Sequence, residues 1–283
     1  MEKRKNKIND APLTWKIPAY IIMIAFTIIT IFPIIWLLYS SFKPHAEILA
    51  SPLSLPSNPT ISNYTNAWEI GNMGISIFNS IFYTSIATVC TLVLAMAAAF
   101  GLTKFPYKSN GFFYGAFTGG LLITVHAVIV PLFLMESRIG IIDTRIGVIL
   151  PYIAFDLPMS VLIAYSYVKS IPDALIEASL IDGANYFQIF FKIIFPCSKP
   201  VAATMVILSF LRHWNEFMFV FILTTGNDKR SLPVALNNFA GRLNVEYGMQ
   251  FAALVISIIP MIIFYLIFHQ QLIKGFGEGA LKE

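Results

Sequence analysis

Six long apolar runs constrain the fold of this chain more than any other feature. They cover approximately residues 19–42, 77–103, 113–135, 146–169, 201–223 and 248–270. A helix needs about 20 mostly apolar residues to cross a bilayer, whereas a strand of a membrane barrel needs only about 9–11. A helix also satisfies its own backbone hydrogen bonds in lipid. The sequence therefore predicts an all-α, polytopic membrane protein with six transmembrane helices.

Composition agrees with a lipid environment and excludes several other classes of protein. Of the 283 residues, 57% are hydrophobic and 12% are charged, against about 25% charged in an average soluble domain. The formal net charge of +4 is too small to indicate a nucleic-acid partner. Cys90 and Cys197 lie in or beside apolar runs, which argues against a disulfide scaffold. No residue spacing predicts a metal site, and no nucleophile–base pattern predicts catalytic residues.

The distribution of lysine and arginine predicts the orientation. The first ten residues are basic and polar, and the next run is longer than the apolar core of a signal peptide, with no small-x-small cleavage site behind it. We therefore expect a retained first span. If the N-terminus is cytoplasmic, the inner segments hold Lys3, Arg4, Lys5, Lys7, Lys16, Lys104, Lys108, Lys169, Lys192, Lys199, Lys274 and Lys282. The outer segments hold only Lys43, Arg138, Arg145, Lys229, Arg230 and Arg242. This excess predicts that both termini are cytoplasmic.

The positions of glycine and proline predict where the six helices pack closely and where they bend. Gly111, Gly115 and Gly119 recur every four residues, a spacing that lets helices approach closely in lipid, either within this subunit or against a second membrane subunit. Prolines in or near the runs predict kinked or broken helices, at Pro33, Pro131, Pro151, Pro158 and Pro260. The proline-rich segment 43–76 is expected to form an extended, ordered cap rather than another helix.

The segment from Ser170 to Pro200 is too polar to span the membrane, but it contains residues that are typical of helix ends. Ser170 is a candidate N-cap, and Pro172 fits the first turn of a short helix. Gly183 fits the left-handed position after that helix. Asn185 and Gln188 have the spacing of a capping box for a second helix. We therefore predict a short helix, a glycine turn and a second short helix.

The polar residues of the first short helix indicate what it meets. An amphipathic helix lying on lipid headgroups usually carries basic residues on its polar face. This helix instead carries Asp173, Glu177 and Asp182, which anionic lipid repels and a basic protein pocket attracts. The lipid-surface interpretation stays open, but the charges favour docking to a cytoplasmic protein.

Residues 177–184 read E-A-S-L-I-D-G-A and resemble the E-A-A-x-x-D-G-A signature of binding-protein-dependent ABC importer permeases. Ser179 replaces the second alanine of that signature, a small-for-small change. Three further segments resemble the smaller permease subunit of the maltose-type carbohydrate importers: S-F-K-P at 41–44 with Asn63-Tyr64, W-N-E-F at 214–217, and K-G-F-G-E-G-A at 274–280. The resemblance covers nearly the whole chain.

The resemblance implies a type I importer permease fold with a cytoplasmic coupling helix. Its domains would be a cytoplasmic N-terminus (1–18), a six-helix transmembrane permease domain (19–270) with a coupling segment (170–200), and a cytoplasmic tail (271–283), in a bacterial cell membrane. The ATPase-coupling residues would be Asp173, Ala174, Glu177, Ala178, Ser179, Asp182, Gly183, Ala184 and Asn185. The implied partners are a second permease subunit, two ATP-binding subunits, an extracytoplasmic solute-binding protein and the lipid bilayer.

The implied function is ATP-driven import of a sugar or related solute. No G-x-x-x-x-G-K-[ST] phosphate loop occurs in the chain, so we expect no enzymatic activity and no cofactor here, with ATP and Mg²⁺ bound by the partner ATPase. Two other classes remain open. One is a secondary transporter driven by an ion gradient, and the other is a membrane scaffold subunit that does not transport.

A few polar residues fall inside the predicted spans, where charge is unfavourable and suggests a functional role. Arg212 and Glu216 are four residues apart and could neutralise each other. Alternatively, residues beside the translocation pathway would include Trp214, Asn215 and Glu216, since amide and aromatic groups suit sugar hydroxyls and ring faces. Asp156 would either line the cavity as a further pathway residue or pair across the subunit interface. His126 is expected to be a packed, hydrogen-bonded histidine.

Overall fold

The computed structural model describes residues 13–240 and 246–280, with the side chains of 13–15, 240 and 270–280 left out. Residues 1–12, Arg242 and residues 281–283, on which part of the orientation prediction rests, lie outside the described residues. Within the described ranges the secondary structure is helical, with no strand, so the all-α prediction is confirmed. The longer helices are α1 (Leu13–Ser40), α4 (Met73–Lys104), α5 (Asn110–Gly120), α6 (Val125–Ile139), α7 (Arg145–Lys169), α11 (Lys199–Trp214) and α14 (Tyr247–Ala280).

Shorter helices lie between them. They are α2 (His45–Ala50), α3 (Ser62–Ile70), α8 (Asp173–Ile181), α9 (Tyr186–Ile189), α10 (Phe195–Cys197), α12 (Met218–Leu223) and α13 (Leu232–Ala240). A π-helical turn occupies Phe190–Ile194 between α9 and α10, and a 3₁₀ turn occupies Asn227–Lys229. The helices divide into two compact units, one formed by residues 13–69, 239–240 and 246–256 and the other by residues 70–238 and 257–280.

The first unit contains α1, α2, most of α3 and the start of α14. The apolar part of α1 has none of its residues buried in the chain, as expected for a helix surrounded by lipid or by another protein. The cap after α1 is ordered, as predicted, but it contains α2 and α3. The buried Lys43 ammonium donates to Ser51 O (3.0 Å) and Ser54 Oγ (3.2 Å). Asn63 Nδ2 donates to the carbonyl oxygens of Ser41 and Lys43, both at 2.8 Å. These bonds replace the water that a folded loop gives up.

The second unit is built on α4, α7 and α11. One buried cluster lies toward the C-terminal ends of α4 and α7 and contains Ala95, Met96, Ala99, Val161, Ala164, Val168 and Met205. Alanine at the contact between α4 and α7 allows the two helices to approach closely. A second cluster lies toward the other ends of these helices and contains Tyr83, Ala87, Val148, Tyr152, Phe219 and Val220.

The third and fifth predicted spans are not continuous helices. Instead of one helix over 113–135, α5 and α6 meet at a bend of 101°. The break follows Gly119 and Gly120, which are weak helix formers, and a Cβ on Gly120 would lie 3.0 Å from Pro158 Cγ. Instead of one helix over 201–223, α11 ends at Trp214 and α12 begins at Met218.

The number of spans depends on how these breaks are counted. Among residues 13–240 and 246–280, four helices are long and apolar enough to cross a membrane, and six segments qualify if each sharply bent pair forms one span. The second bent pair joins Tyr186–Cys197 to α11 at 79°, so it includes part of the segment predicted to lie outside the bilayer.

Three glycines of α5, at the spacing noted in the sequence, do not pack within this chain. A Cβ built on Gly111, Gly115 or Gly119 would have no neighbour within 4 Å. The interpretation of these glycines as packing residues within one subunit is therefore wrong, which leaves the alternative of contact with a second membrane subunit.

Candidate coupling site and intramembrane polar cluster

The first short helix of the polar segment is α8, which begins at Asp173. Its N-cap is Pro172, and not Ser170 as predicted. Ser170 instead caps the C-terminus of α7, and its hydroxyl donates to Tyr167 O at 2.7 Å. The difference arises because α7 continues to Lys169, which leaves only Ser170 and Ile171 ahead of the N-cap of α8.

The predicted glycine turn follows α8. Gly183 has a φ of +81°, a backbone conformation that residues with a side chain adopt at a cost. The N–H groups of Asp182, Gly183 and Ala184 donate to carbonyl oxygens of the last turn of α8, which satisfies groups that a helix C-terminus leaves without partners.

The second short helix starts with the predicted capping box. Gln188 N donates to Asn185 Oδ1 at 2.8 Å, and Asn185 N donates to Gln188 Oε1 at 3.0 Å. Because both bonds are local, this geometry depends on four consecutive residues and very little on the rest of the fold. The glycine turn and the box together fix how α9 follows α8.

Within the coupling segment, residues 173–185 present most of their side chains to solvent. Of the nine predicted coupling residues, Ser179 and Ala184 are half-buried and the other seven are exposed. Apolar side chains lie among the acidic ones, with Leu175 45% and Ile181 87% exposed. A surface that combines acidic and large apolar side chains suits a protein partner better than water.

The inner side of the segment is attached to the helix bundle. Ile176 of α8 and Ile189 of α9 belong to the buried cluster of α4 and α7. The Asp173 carboxylate accepts from the Lys104 ammonium at 2.7 Å. The segment is therefore docked on its own chain at several points while its outer side stays uncovered.

A separate polar cluster lies inside the second unit, around Asp156 of α7. Asp156 is 2% exposed, and its carboxylate lies 3.0 Å from Arg212 Nη1 on α11. The hydroxyls of Ser209 and Ser160 both donate to Asp156 Oδ2. His213 Nε2 lies 3.7 Å from the same oxygen. A buried carboxylate requires such partners, because an isolated charge in a low-dielectric interior is very unfavourable.

This cluster changes the assignment of the polar residues in the spans. Arg212 pairs with Asp156 rather than with Glu216, so the predicted Arg212–Glu216 pair is wrong. Glu216 Oε1 accepts from Phe219 N at 2.9 Å, at the start of α12. Trp214 is 5% exposed and stacks on Phe210, with ring centroids 5.7 Å apart.

Of the four residues predicted beside the pathway, only Asn215 is exposed, whereas Asp156 and Trp214 are buried and Glu216 is half-buried. Arg212 has 48% of its side chain exposed and is the charged group that this region presents outward. His126 is exposed at the start of α6 rather than packed.

The sequence could have indicated some of the partners that were missed. Ser160 lies four residues after Asp156, and Ser209 lies three before Arg212, which are the spacings of neighbours on one helix face. The role of Lys104 has no comparable local signal. Within residues 13–240 and 246–280, no three side chains of His, Cys, Asp or Glu are grouped so that they could hold a metal ion.

Comparison with known proteins agrees with this architecture. Residues 13–277 match the family described as binding-protein-dependent transport system inner membrane component. The chain is 34% identical over 266 residues to the diacetylchitobiose uptake system permease protein NgcG of Streptomyces coelicolor, covering 93% of this chain and 88% of that protein. It is 30% identical to the multiple sugar-binding transport system permease protein MsmG of Streptococcus mutans, covering 99% of this chain and 100% of that protein.

The fold is also that of a solved transporter. A chain of a bacterial ABC transporter involved in the import of the acidic polysaccharide alginate superposes with a TM-score of 0.81 at 25% identity, covering 95% of this chain and 98% of that one. The family match spans more than nine-tenths of the sequence and includes the coupling segment. The chain therefore belongs to the binding-protein-dependent transport system inner membrane components and is a permease subunit of an ABC importer.

Proposed function

We propose that this chain forms half of the translocation pathway of an ATP-driven sugar importer, and that residues 173–185 couple it to a cytoplasmic ATPase. The observation that carries the coupling proposal is the outer side of α8, where acidic and apolar side chains are exposed together on a segment that is firmly attached to the bundle on its inner side. In that position Glu177 would pair with a basic group of the ATPase.

The relatives support a sugar as the transported solute. NgcG is named for diacetylchitobiose, MsmG for multiple sugars and a further relative, SugB of Mycobacterium tuberculosis, for trehalose.

The proposed partners follow the same reasoning. A second solved structure with the same fold contains a periplasmic protein carrying an alginate pentasaccharide, which supports delivery of solute by an extracytoplasmic binding protein. A second permease subunit would cover Gly111, Gly115 and Gly119 of α5, since a Cβ added to any of them would meet nothing in this chain. Two ATPase subunits would dock on the cytoplasmic side, and with six spans both termini of this chain would then also be cytoplasmic.

The coupling proposal is tested by changing charge on the exposed side of α8. Glu177→Lys should release the ATPase from the affinity-purified complex and abolish uptake, because it places a cation against the proposed basic pocket. Glu69→Lys is the matched control, since Glu69 is also exposed but lies in the cap. Retention of the ATPase by Glu177→Lys, with normal uptake, would refute docking at this surface.

A second variant tests the turn rather than the charge. Gly183→Asp adds a side chain at φ +81° and should reorient α9 relative to α8. We expect correct membrane insertion but loss of uptake. Normal uptake by Gly183→Asp would contradict a mechanical role for the turn.

The two alternatives, a secondary transporter and a scaffold subunit that does not transport, predict different results. An ion-driven transporter would keep its uptake without the ATPase and lose it when the proton or sodium gradient collapses. A scaffold subunit would leave uptake unchanged when it is deleted. The importer requires uptake to depend on ATP and on this chain.

Within the pathway, we propose that Arg212 and Asn215 face the solute and that Asp156 holds Arg212 in place. A half-exposed guanidinium inside a span is unfavourable against lipid and has to face protein or a polar cavity. Asn215→Ala should raise the KM for uptake while solute-stimulated ATP hydrolysis stays coupled to transport. A KM equal to that of the unmodified importer would remove Asn215 from the pathway.

A further inference from the structure

The coupling segment touches a helix to which it is not joined in sequence. Along the chain it connects α7 to α11, so those two helices receive any movement of α8 directly. The C-terminal end of α4 lies about 70 residues earlier and contacts both short helices through Phe100, Lys104 and Phe105. We call these three residues the α4 clamp.

Lys104 is the part of the clamp that holds α8. Its side chain is 3% exposed, and its ammonium donates to Asp173 Oδ1 at 2.7 Å and to Ile171 O at 2.5 Å. A lysine near a helix end usually extends its charge to water or to lipid headgroups. Lys104 instead directs its charge into the protein, at the two residues that flank the N-cap of α8.

The aromatic members of the clamp hold the second short helix. The Phe105 ring lies 4.8 Å from the Tyr186 ring at the start of α9. The Phe100 ring lies 5.8 Å from the ring of Phe190, the first residue of the π-helical turn. Phe100 and Phe105 also contact each other at 5.3 Å. Asn110 Nδ2 donates to Phe105 O, which fixes the backbone that carries the clamp.

From these contacts we infer that the α4 clamp is a third attachment through which the coupling segment moves the membrane helices, with Lys104 as the positioning residue for α8. The inference rests on the proposed docking of an ATPase at residues 173–185. Because α4 packs along α7 through both buried clusters and along α11 through the first of them, a movement of the coupling segment that displaces α4 also acts on these two helices. Without the clamp, α8 and α9 would be attached to α4 only through the apolar cluster that contains Ile176 and Ile189.

The decisive measurement is the amount of solute imported per ATP hydrolysed by the reconstituted complete importer. Lys104→Gln removes the charge and shortens the reach to Asp173, but it leaves the exposed surface of α8 unaltered. We expect the ATPase to copurify normally, hydrolysis to continue, and the ratio of solute to ATP to fall at least severalfold. Lys104→Arg should recover most of the ratio, since a guanidinium can donate to both oxygens.

A matched control separates the clamp from a general effect of charge near the membrane. Lys108 lies four residues later and is exposed, so Lys108→Gln should leave the ratio unchanged. An unchanged ratio in Lys104→Gln would overturn the inference. Loss of the ATPase from Lys104→Gln during purification would also overturn it, since Lys104 would then shape the docking surface rather than transmit its movement.

The two proposals fail in distinguishable ways. If Glu177→Lys keeps its ATPase and its uptake, the docking site is wrong regardless of the clamp. If Glu177→Lys releases the ATPase while Lys104→Gln imports as much solute per ATP as the unmodified importer, the docking proposal is supported and the clamp inference is refuted.

A cross-link covers the case in which Lys104→Gln does not fold. Phe105→Cys with Tyr186→Cys, in a chain whose native cysteines are replaced by serine, can be joined by a short bifunctional thiol reagent. If the clamp moves as one body, cross-linking succeeds with and without ATP and uptake survives. Uptake that is lost on cross-linking would show that α4 and α9 separate during transport, and would refute the inference.

Discussion

The Asp156–Arg212 pair offers a quantitative test of the polar cluster inside the second unit. Breaking a fully buried ion pair by removing one partner costs about 3–5 kcal/mol, whereas exposed pairs contribute about 0–1 kcal/mol. This pair lies between those limits, because the Asp156 side chain is 3% exposed and the Arg212 side chain is 48% exposed. Asp156→Asn should therefore destabilise the subunit by about 2 kcal/mol, the worth of one hydrogen bond to a charged group.

A double-mutant cycle isolates the pair from the serines around it. Asp156→Asn, Arg212→Gln and the double variant are compared in the assembled importer. Denaturing detergent is added stepwise, and unfolding is followed by thiol labelling of the half-buried Cys90. The exposed Cys197 is replaced by serine in every variant, and the partner subunits lack cysteine. We expect a coupling energy of about 1 kcal/mol, within the range of polar pairs measured inside membrane proteins. Independent sites add to within about 0.3–0.5 kcal/mol, so additive single effects would refute the pairing.

Three further outcomes follow from other parts of the structure. Gly147→Ala should destabilise by about 1–3 kcal/mol, because its Cβ would lie 2.5 Å from a backbone oxygen, whereas Gly101→Ala meets nothing within 4 Å and should be neutral or stabilising in a thermal melt. Hydrogen bonds from Gly226 N and Thr225 N, with the Lys229 ammonium, lower the pKa of Asp143 to about 2. The stability lost in Asp143→Asn should therefore be constant above about pH 5 and shrink as pH falls from about 4 towards 2, which a pH series of melts would show. Asn185→Ala should cost about 0.5–2 kcal/mol and increase hydrogen exchange at the start of α9; unchanged exchange would contradict the capping box.

Local signals in the sequence account for much of the coupling segment. Gly183 and the pair Asn185–Gln188 act over three or four residues, so their spacing was enough to predict the turn and the box. The acidic residues of α8 could be assigned an exposed position for a similar reason. The exception is Ser170, where the choice between ending α7 and starting α8 depends on how far α7 extends.

Local spacing could not predict contacts between distant parts of the chain. A helix-spacing rule could only offer Glu216 as a partner for Arg212, because Asp156 lies on another helix. The break between α5 and α6 was missed because residues 121–124 read L-L-I-T, which is as apolar as the helices on either side. At that break Gly120 lies close to Pro158, a contact between distant residues that only the packed structure contains.

The same break limits what can surround this part of the subunit. Helix α6 starts anew at Val125, and Thr124 at its N-cap makes no side-chain capping bond. The first N–H groups of a helix have no partner within it, and hydrocarbon cannot supply one. Water or another polypeptide therefore has to reach the start of α6, and a lipid-soluble quencher should reach a probe at Ile29 on α1 more readily than one at Thr124.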